Sequence, residues 1–341
     1  MRIAQIAPLA ESVPPKLYGG TERVVSVLTE ELVRRGHEVT LYASADSQTT
    51  ARLKPCADQG LRLSQDEVDP LAYCLMQLAS VFDAEKEYDI IHNHIDYVAF
   101  PFARRSAVPV VSTTHGRLDL PETRRIYEYF SDVPLVSISH EQRTPLPNSK
   151  WAGNVYNAID IDCYEFQPEK GSYLAFLGRV SPEKRVDRAI EVARSLEIPL
   201  KIAAKIDDSD KDYFEHAIKP FLDSSLIEFV GEVDDAQKND FLGKALAYLF
   251  PIDWPEPFGL TMVEAMACGT PVVAMEAGSV PEVVVDGVSG FVCPSFREFI
   301  EMAEEVQSLD RLACRRSVEE RFSPKAMADG YEQVYQDLMN D

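Results

Sequence analysis

In "PEPFGLTMVEAMACGTPVV" (255–273), Glu256 and Glu264 have seven residues between them, with Gly259 among those seven. The prolines of "IDWPEPFG" (252–259) predict a loop. A helix should begin at Leu260–Thr261 and stop at Gly269, with Pro271 just beyond. The N–H groups of Phe258, Gly259 and Leu260 would then lack intrahelical partners and favour an anion or a hydroxyl oxygen. Gly259 has no side chain, so a ligand can come close to its backbone. A carboxylate accepts two hydrogen bonds at once, which suits vicinal hydroxyls on a sugar or a ribose. Spacing alone does not separate this from a plainer account, in which Glu256 is solvated and Glu264 sits at the favourable end of a helix dipole.

A second stretch, "FLGRVSPEKRVDRAI" (176–190), places Arg179 at the end of an apolar run and Lys184 after a turn containing Pro182. A helix should begin near Glu183. Two cations beside a helix N-terminus make a clamp for a diphosphate. A third stretch, "KLYGGTERVV" (16–25), sets Gly19 and Gly20 before another helix, where bare backbone can reach a phosphate. The GxGxxG fingerprint occurs nowhere in the chain, which counts against a dinucleotide oxidoreductase. In "HNH" (92–94), His92 and His94 share a strand face. No third ligand is apparent, so no metal site is expected and the pair reads as structural or acceptor-side.

These groups need a scaffold. Short β-branched runs alternate with helical patterns: 2–9, 38–44, 89–94, 109–115 and 135–140, then 172–179, 200–205, 227–233, 245–251, 271–275 and 290–293. Between the first two lies "TERVVSVLTEELVRRG" (21–36), with Val24, Val25, Leu28 and Leu32 on one face. Alternation with continuously apolar strands means buried parallel sheets, and the pattern runs twice. The expected organisation is a first domain over 1–155, a linker over 156–171, a second domain over 172–322 and a terminal helix over 323–341 that can pack back on the first domain. Ligands of such sheets bind beyond the carboxyl ends of the strands, which makes the cleft between the two domains the expected site.

Composition sets the outer limits. A net charge of -22 argues against nucleic acid and against a polybasic membrane surface. The six cysteines form no CxxC pair and read as reduced thiols, so a cytoplasmic protein is expected. No apolar run approaches the roughly 18 residues of a membrane helix. A monomer or a dimer is expected.

The whole set resembles glycosyltransferase family 4. The likeness rests on Gly19–Gly20, "TTHG" with His115, "YNAID" with Asn157, "GRVSPEK" with Arg179 and Lys184, and "PEPFGLTMVEAMACGTPVV" continuing into "GSVPEVVVDGVSGFV". It covers nearly the whole chain, and the last block is the most specific. One departure is Ala158, where such enzymes usually carry glycine. The resemblance implies an α/β GT-B fold, two tandem Rossmann-like domains, and a retaining, metal-independent enzyme that transfers a sugar from a nucleoside-diphosphate sugar with no cofactor. It gives UDP-sugar a slight preference. It also implies roles. Arg179 and Lys184 would bind the diphosphate, Glu256 the donor sugar and Glu264 the ribose. The N–H groups of Phe258, Gly259 and Leu260 would meet the sugar and phosphate, and the loop at Val233 would carry the base. His115 would lie near the reacting centre, and Gly20 would approach the diphosphate from the opposite wall. A sugar phosphorylase, a nucleotide-sugar epimerase or a non-catalytic binding protein are the alternatives on the same fold.

Overall fold

The computed structural model describes residues 1–16, 19–64, 68–222 and 225–340. Leu17 and Tyr18 of the glycine-pair stretch, and Asp341 of the tail, lie outside them. The chain forms two compact units, Met1–Ile159 with Pro324–Asp341, and Asp160–Ser323. The terminal helix therefore belongs to the first unit. The stretch 156–171 is divided between the two: from Asp160 onward it packs within the second unit, with Gln167 N–H donating to the Cys268 carbonyl at 3.0 Å.

The first unit holds a seven-stranded sheet of β1 (Arg2–Ile6), β2 (Glu38–Ser44), β3 (Arg52–Ala57), β4 (Ile90–Asn93), β5 (Val110–Thr113), β6 (Leu135–Ser137) and β7 (Trp151–Asn154). All pairings are parallel, in the order β3-β2-β1-β4-β5-β6-β7. The second unit has six parallel strands: β8 (Tyr173–Arg179), β9 (Leu200–Lys205), β10 (Ile227–Gly231), β11 (Ala245–Phe250), β12 (Val272–Met275) and β13 (Gly290–Cys293). Their order is β10-β9-β8-β11-β12-β13. Each sheet reverses its direction of winding beside its first strand, between β1 and β4 and between β8 and β11. A crevice at the carboxyl ends of the strands opens at such a reversal.

The central strands are buried: β4, β5, β6 and β11 present no exposed residue, and their polar residues, His92, Asn93, Ser112, Thr113 and Ser137, lie toward the carboxyl ends. That fits helices on both sheet faces. Two strands were not legible in the pattern. Both β3 and β7 lie at sheet edges, β3 carries Pro55, and its residues are mostly part-exposed. Proline is tolerated at an edge because a missing N–H disrupts no ladder there.

Six helices matter below: α1 (Gly20–Arg34), α2 (Val186–Leu196), α3 (Asp235–Gly243), α4 (Leu260–Ala267), α5 (Arg311–Arg321) and α6 (Pro324–Asn340). In α1 the predicted face Val24, Val25, Leu28 and Leu32 is buried. The helix expected at Glu183 starts later. Pro182–Lys184 makes a single 3₁₀ turn, and Arg185 takes a left-handed conformation (φ 55°) before α2 begins. Arg185 is held in that pose by Asp187 at 2.8 Å and Asp253 at 2.9 Å. Helix α6 packs on α1 and β7. Arg35, just after α1, reaches Asp329 at 2.8 Å and Glu332 at 2.7 Å.

Candidate active site

In the second unit, two loops meet beyond the carboxyl ends of β8 and β11. The first runs from Arg179 to Arg185 and the second from Pro251 to Gly259. Asp253 N–H donates to the Glu183 carbonyl at 2.9 Å, and the Arg185 guanidinium reaches the Asp253 carboxylate. Lys184 completes the junction by donating to Glu256 Oε2. Its ammonium also lies 4.9 Å from the Trp254 ring centre and 5.4 Å from that of Phe250. A cation against aromatic faces is favourable and held in place. Arg179 pairs with Glu183 at 2.8 Å and stands 3.8 Å from Asp207. Of the two cations singled out in the sequence, Lys184 is brought to Glu256 and Arg179 to Glu183, so each is balanced by a carboxylate.

The loop carrying Glu256 is pressed against Ser279, whose N–H donates to the Glu256 carbonyl and whose hydroxyl donates to the Phe258 carbonyl, both at 2.9 Å. Gly278 is required there: its φ is 55°, and a Cβ would fall 2.3 Å from the Glu256 nitrogen. Gly259, at the start of α4, also has a left-handed φ of 80°. No side chain caps α4. The leading turn of α4 lies beside the loop that carries Glu256. The Phe258 side chain is buried against Phe322. Leu260 is half-buried.

Glu264 does more than sit at the favourable end of a helix dipole. It is 3% exposed, and its Oε1 accepts from Tyr164 Oη and Lys238 Nζ, each at 2.9 Å. Lys238 comes from α3, and Tyr164 from the stretch expected as linker. Arg315 of α5 fixes that stretch by donating to the Tyr164 carbonyl at 2.7 Å. With Oε1 engaged twice, Oε2 remains for a hydroxyl ligand. No local signal in the sequence marks Tyr164 or Lys238, because each lies far from Glu264 along the chain. Val233 sits half-buried in the loop between β10 and α3, just before Asp234, which caps α3.

In the first unit, His94 and His115 follow β4 and β5 and lie together. His94 Nδ1 is 3.0 Å from His115 Nε2, and His94 Nε2 is 2.7 Å from Gln5 Oε1. His92 stacks 3.9 Å from His94, with its nitrogens 2.7 Å from Tyr335 Oη and 2.7 Å from Thr113 Oγ1. Tyr331 of α6 also meets Thr113, at 2.9 Å. The ring nitrogens of His92 and His94 are therefore engaged in hydrogen bonds within the unit. Burial holds all three histidines neutral: His115 is pushed down to about 4, and His92 and His94 well below the ordinary range. Gly19 precedes α1, and its lack of a Cβ is explained by packing, since one would fall 2.7 Å from Pro15. Gly20 is the first residue of α1.

Two family models divide the chain between them: glycosyl transferases group 1 over residues 164–326, and Glycosyltransferase Family 4 over residues 18–152. The chain is 26% identical to a glycogen synthase of Mycobacterium tuberculosis, covering 87% of this chain and 83% of the relative. Among solved structures it is similar to AviGT4, a glycosyltransferase involved in avilamycin A biosynthesis, with a TM-score of 0.77, 23% identity, and coverage of 100% and 98%. It is also similar to Anabaena Alr3699/HepE in complex with UDP-glucose, with a TM-score of 0.75, 19% identity and full coverage of both chains.

Proposed function

The chain belongs to the group 1, family 4-type glycosyltransferases and has their GT-B fold, and from that premise we propose a retaining enzyme that transfers a sugar from a nucleoside-diphosphate sugar. One observation carries the donor class: Arg179, Lys184, Glu256 and the uncapped start of α4 converge at the junction of two loops. A diphosphate suits the cations and the N–H groups, and the sugar hydroxyls suit Glu256. The ribose takes the remaining oxygen of Glu264, and the base lies along the Val233 loop. UDP is preferred because a similar structure holds UDP-glucose.

A ligand that engages Lys184 must separate it from Glu256. The diphosphate draws the ammonium while the sugar hydroxyls take the carboxylate, so one binding event supplies new partners to both. In transfer, the acceptor attacks from the face that the diphosphate leaves. The departing oxygen takes the acceptor's proton, and Arg179 and Lys184 neutralise the charge that builds on it. These side chains do the work of a metal ion, so activity should survive a chelator. We assign the acceptor to the first unit, with His115 accepting from a hydroxyl of the sugar being transferred and Gly20 given a role toward the diphosphate. No helix among the described residues is long and apolar enough to cross a membrane. We place the enzyme in the cytoplasm, where its free thiols stay reduced.

The test is a thermal-shift screen with UDP, GDP, ADP and TDP sugars, followed by the anomeric configuration of the product. Ligand binding raises stability by RT ln(1 + [L]/Kd), so the donor should stand out. UDP-sugar should shift the chain most, and the product should keep the donor's anomeric configuration. No shift with any nucleotide-sugar, or an inverted product, would overturn the reading.

A further inference from the structure

We propose that Gln5 is a positioning residue that, acting through His94, fixes which ring nitrogen of His115 carries the proton, so that His115 presents a bare Nδ1 to a hydroxyl. The proposal rests on the role given to His115 above.

Gln5 in β1 is fully buried, and its Oε1 faces His94 Nε2 at 2.7 Å. An amide oxygen only accepts, so the His94 proton must be on Nε2. His94 is neutral because burial, aided by His92 and His115, holds its pKa well below the ordinary range. A neutral imidazole has one N–H, which leaves Nδ1 of His94 as an acceptor. His115 Nε2, 3.0 Å away, must then be the donor. His115 is itself neutral, with its pKa pushed to about 4 by burial, so its own Nδ1 carries a lone pair. No described residue bonds that nitrogen, and His115 is half-buried rather than sealed.

The surroundings remove competing partners. His92, stacked on His94, has both nitrogens engaged by Tyr335 and Thr113. The other titratable groups here are Tyr331, Tyr335 and Asp96, which accepts from the His115 backbone N–H and is raised by burial to about 6. None offers His94 a different donor. Residues from β1, β4 and β5 meet only because these strands are neighbours at the reversal of the sheet.

The experiment uses the full chain with ¹⁵N-labelled histidine and needs no ligand for its first reading. At pH 7, His94 and His115 should both appear as neutral Nε2–H tautomers. In Gln5→Glu the new carboxylate favours an imidazolium at His94. Its Nδ1 then donates, and His115 must move its proton to Nδ1. In Gln5→Met, which removes the acceptor without adding charge, both rings should show mixed tautomers. Turnover of UDP-glucose, water serving as acceptor where no other is supplied, should fall at least tenfold in Gln5→Glu. The Kd for UDP should stay within twofold, since the proposed nucleotide site belongs to the other unit. A native His115 with its proton on Nδ1, or a His115 whose tautomer ignores both Gln5 variants, overturns the proposal. Unchanged turnover in Gln5→Glu alongside lost turnover in His115→Ala overturns it while sparing the role of His115. Unchanged turnover in His115→Ala overturns that role, and the proposal with it.

Discussion

Both units gather polar groups beyond the carboxyl ends of central strands and hold them by opposite means. Beyond β8 and β11 the second unit gathers full charges and balances each: Lys184 with Glu256, Arg179 with Glu183, and Lys238 with Glu264. Beyond β4 and β5 the first unit gathers histidines and removes their charge by burial. A buried ion needs a partner, whereas a buried imidazole avoids the cost of charge by staying neutral. The lesson concerns ligands. The charged site is suited to an anion that exchanges partners with it, and the neutral site to hydroxyls that only need aiming.

The contrast is tested most severely at Lys184. Lys184→Ala removes the charge that the proposed mechanism sets against the leaving diphosphate, and kcat should fall about 100-fold, or roughly 3 kcal/mol. Near-native kcat in both Lys184→Ala and Arg179→Ala would break the assignment of the charged site.

The neutral site should reveal itself through pH. An unfolded histidine titrates near ~6.5, while folded His115 titrates at about 4. Between those values the unfolded chain binds a proton that the folded chain refuses, so stability falls as pH drops from 7 to 5. The His115 contribution is about 2 kcal/mol. His92 and His94 act in the same direction, and Asp96, raised to about 6, acts against it. Urea unfolding at the two pH values should show His115→Gln losing about 2 kcal/mol less than the native chain. Equal losses would mean that His115 is not held neutral.

Within the charged site the two glutamates should separate. Glu264→Gln should weaken UDP about tenfold, near 1.4 kcal/mol, because its proposed partner is the ribose. Glu256→Gln should lower turnover and leave UDP affinity close to native. Calorimetry with UDP alone reads the difference, and equal weakening by both contradicts it. The smallest effect belongs to Tyr164→Phe, which deletes one of two hydrogen bonds aiming Glu264. UDP affinity should drop by about 1 kcal/mol or less, with kcat unchanged. A change confined to kcat would show that Tyr164 does something other than orient that carboxylate.

Much of this was legible in the chain itself. Continuous runs such as "ALAYLF" become buried central strands because a strand covered on both faces must be apolar on both. The start of α4 was set by Pro255, Pro257 and Gly259, and its end by Gly269, because these residues restrict or release backbone angles whatever surrounds them. The edge strands β3 and β7 escaped, since half-exposed strands carry no apolar run. The delayed start of α2 escaped as well, since Arg185 takes its left-handed pose from Asp187 and Asp253, the latter 68 residues away.

Local physics thus determined most of the elements and the types of chemistry at hand. Tertiary structure alone decided who pairs with whom: Lys184 with Glu256, Tyr164 and Lys238 with Glu264, Gln5 with His94, and Tyr335 of the last helix with His92. Backbone preference acts over a few residues, whereas these partners are 26 to 243 residues apart and meet only once the sheets have set which strand lies beside which.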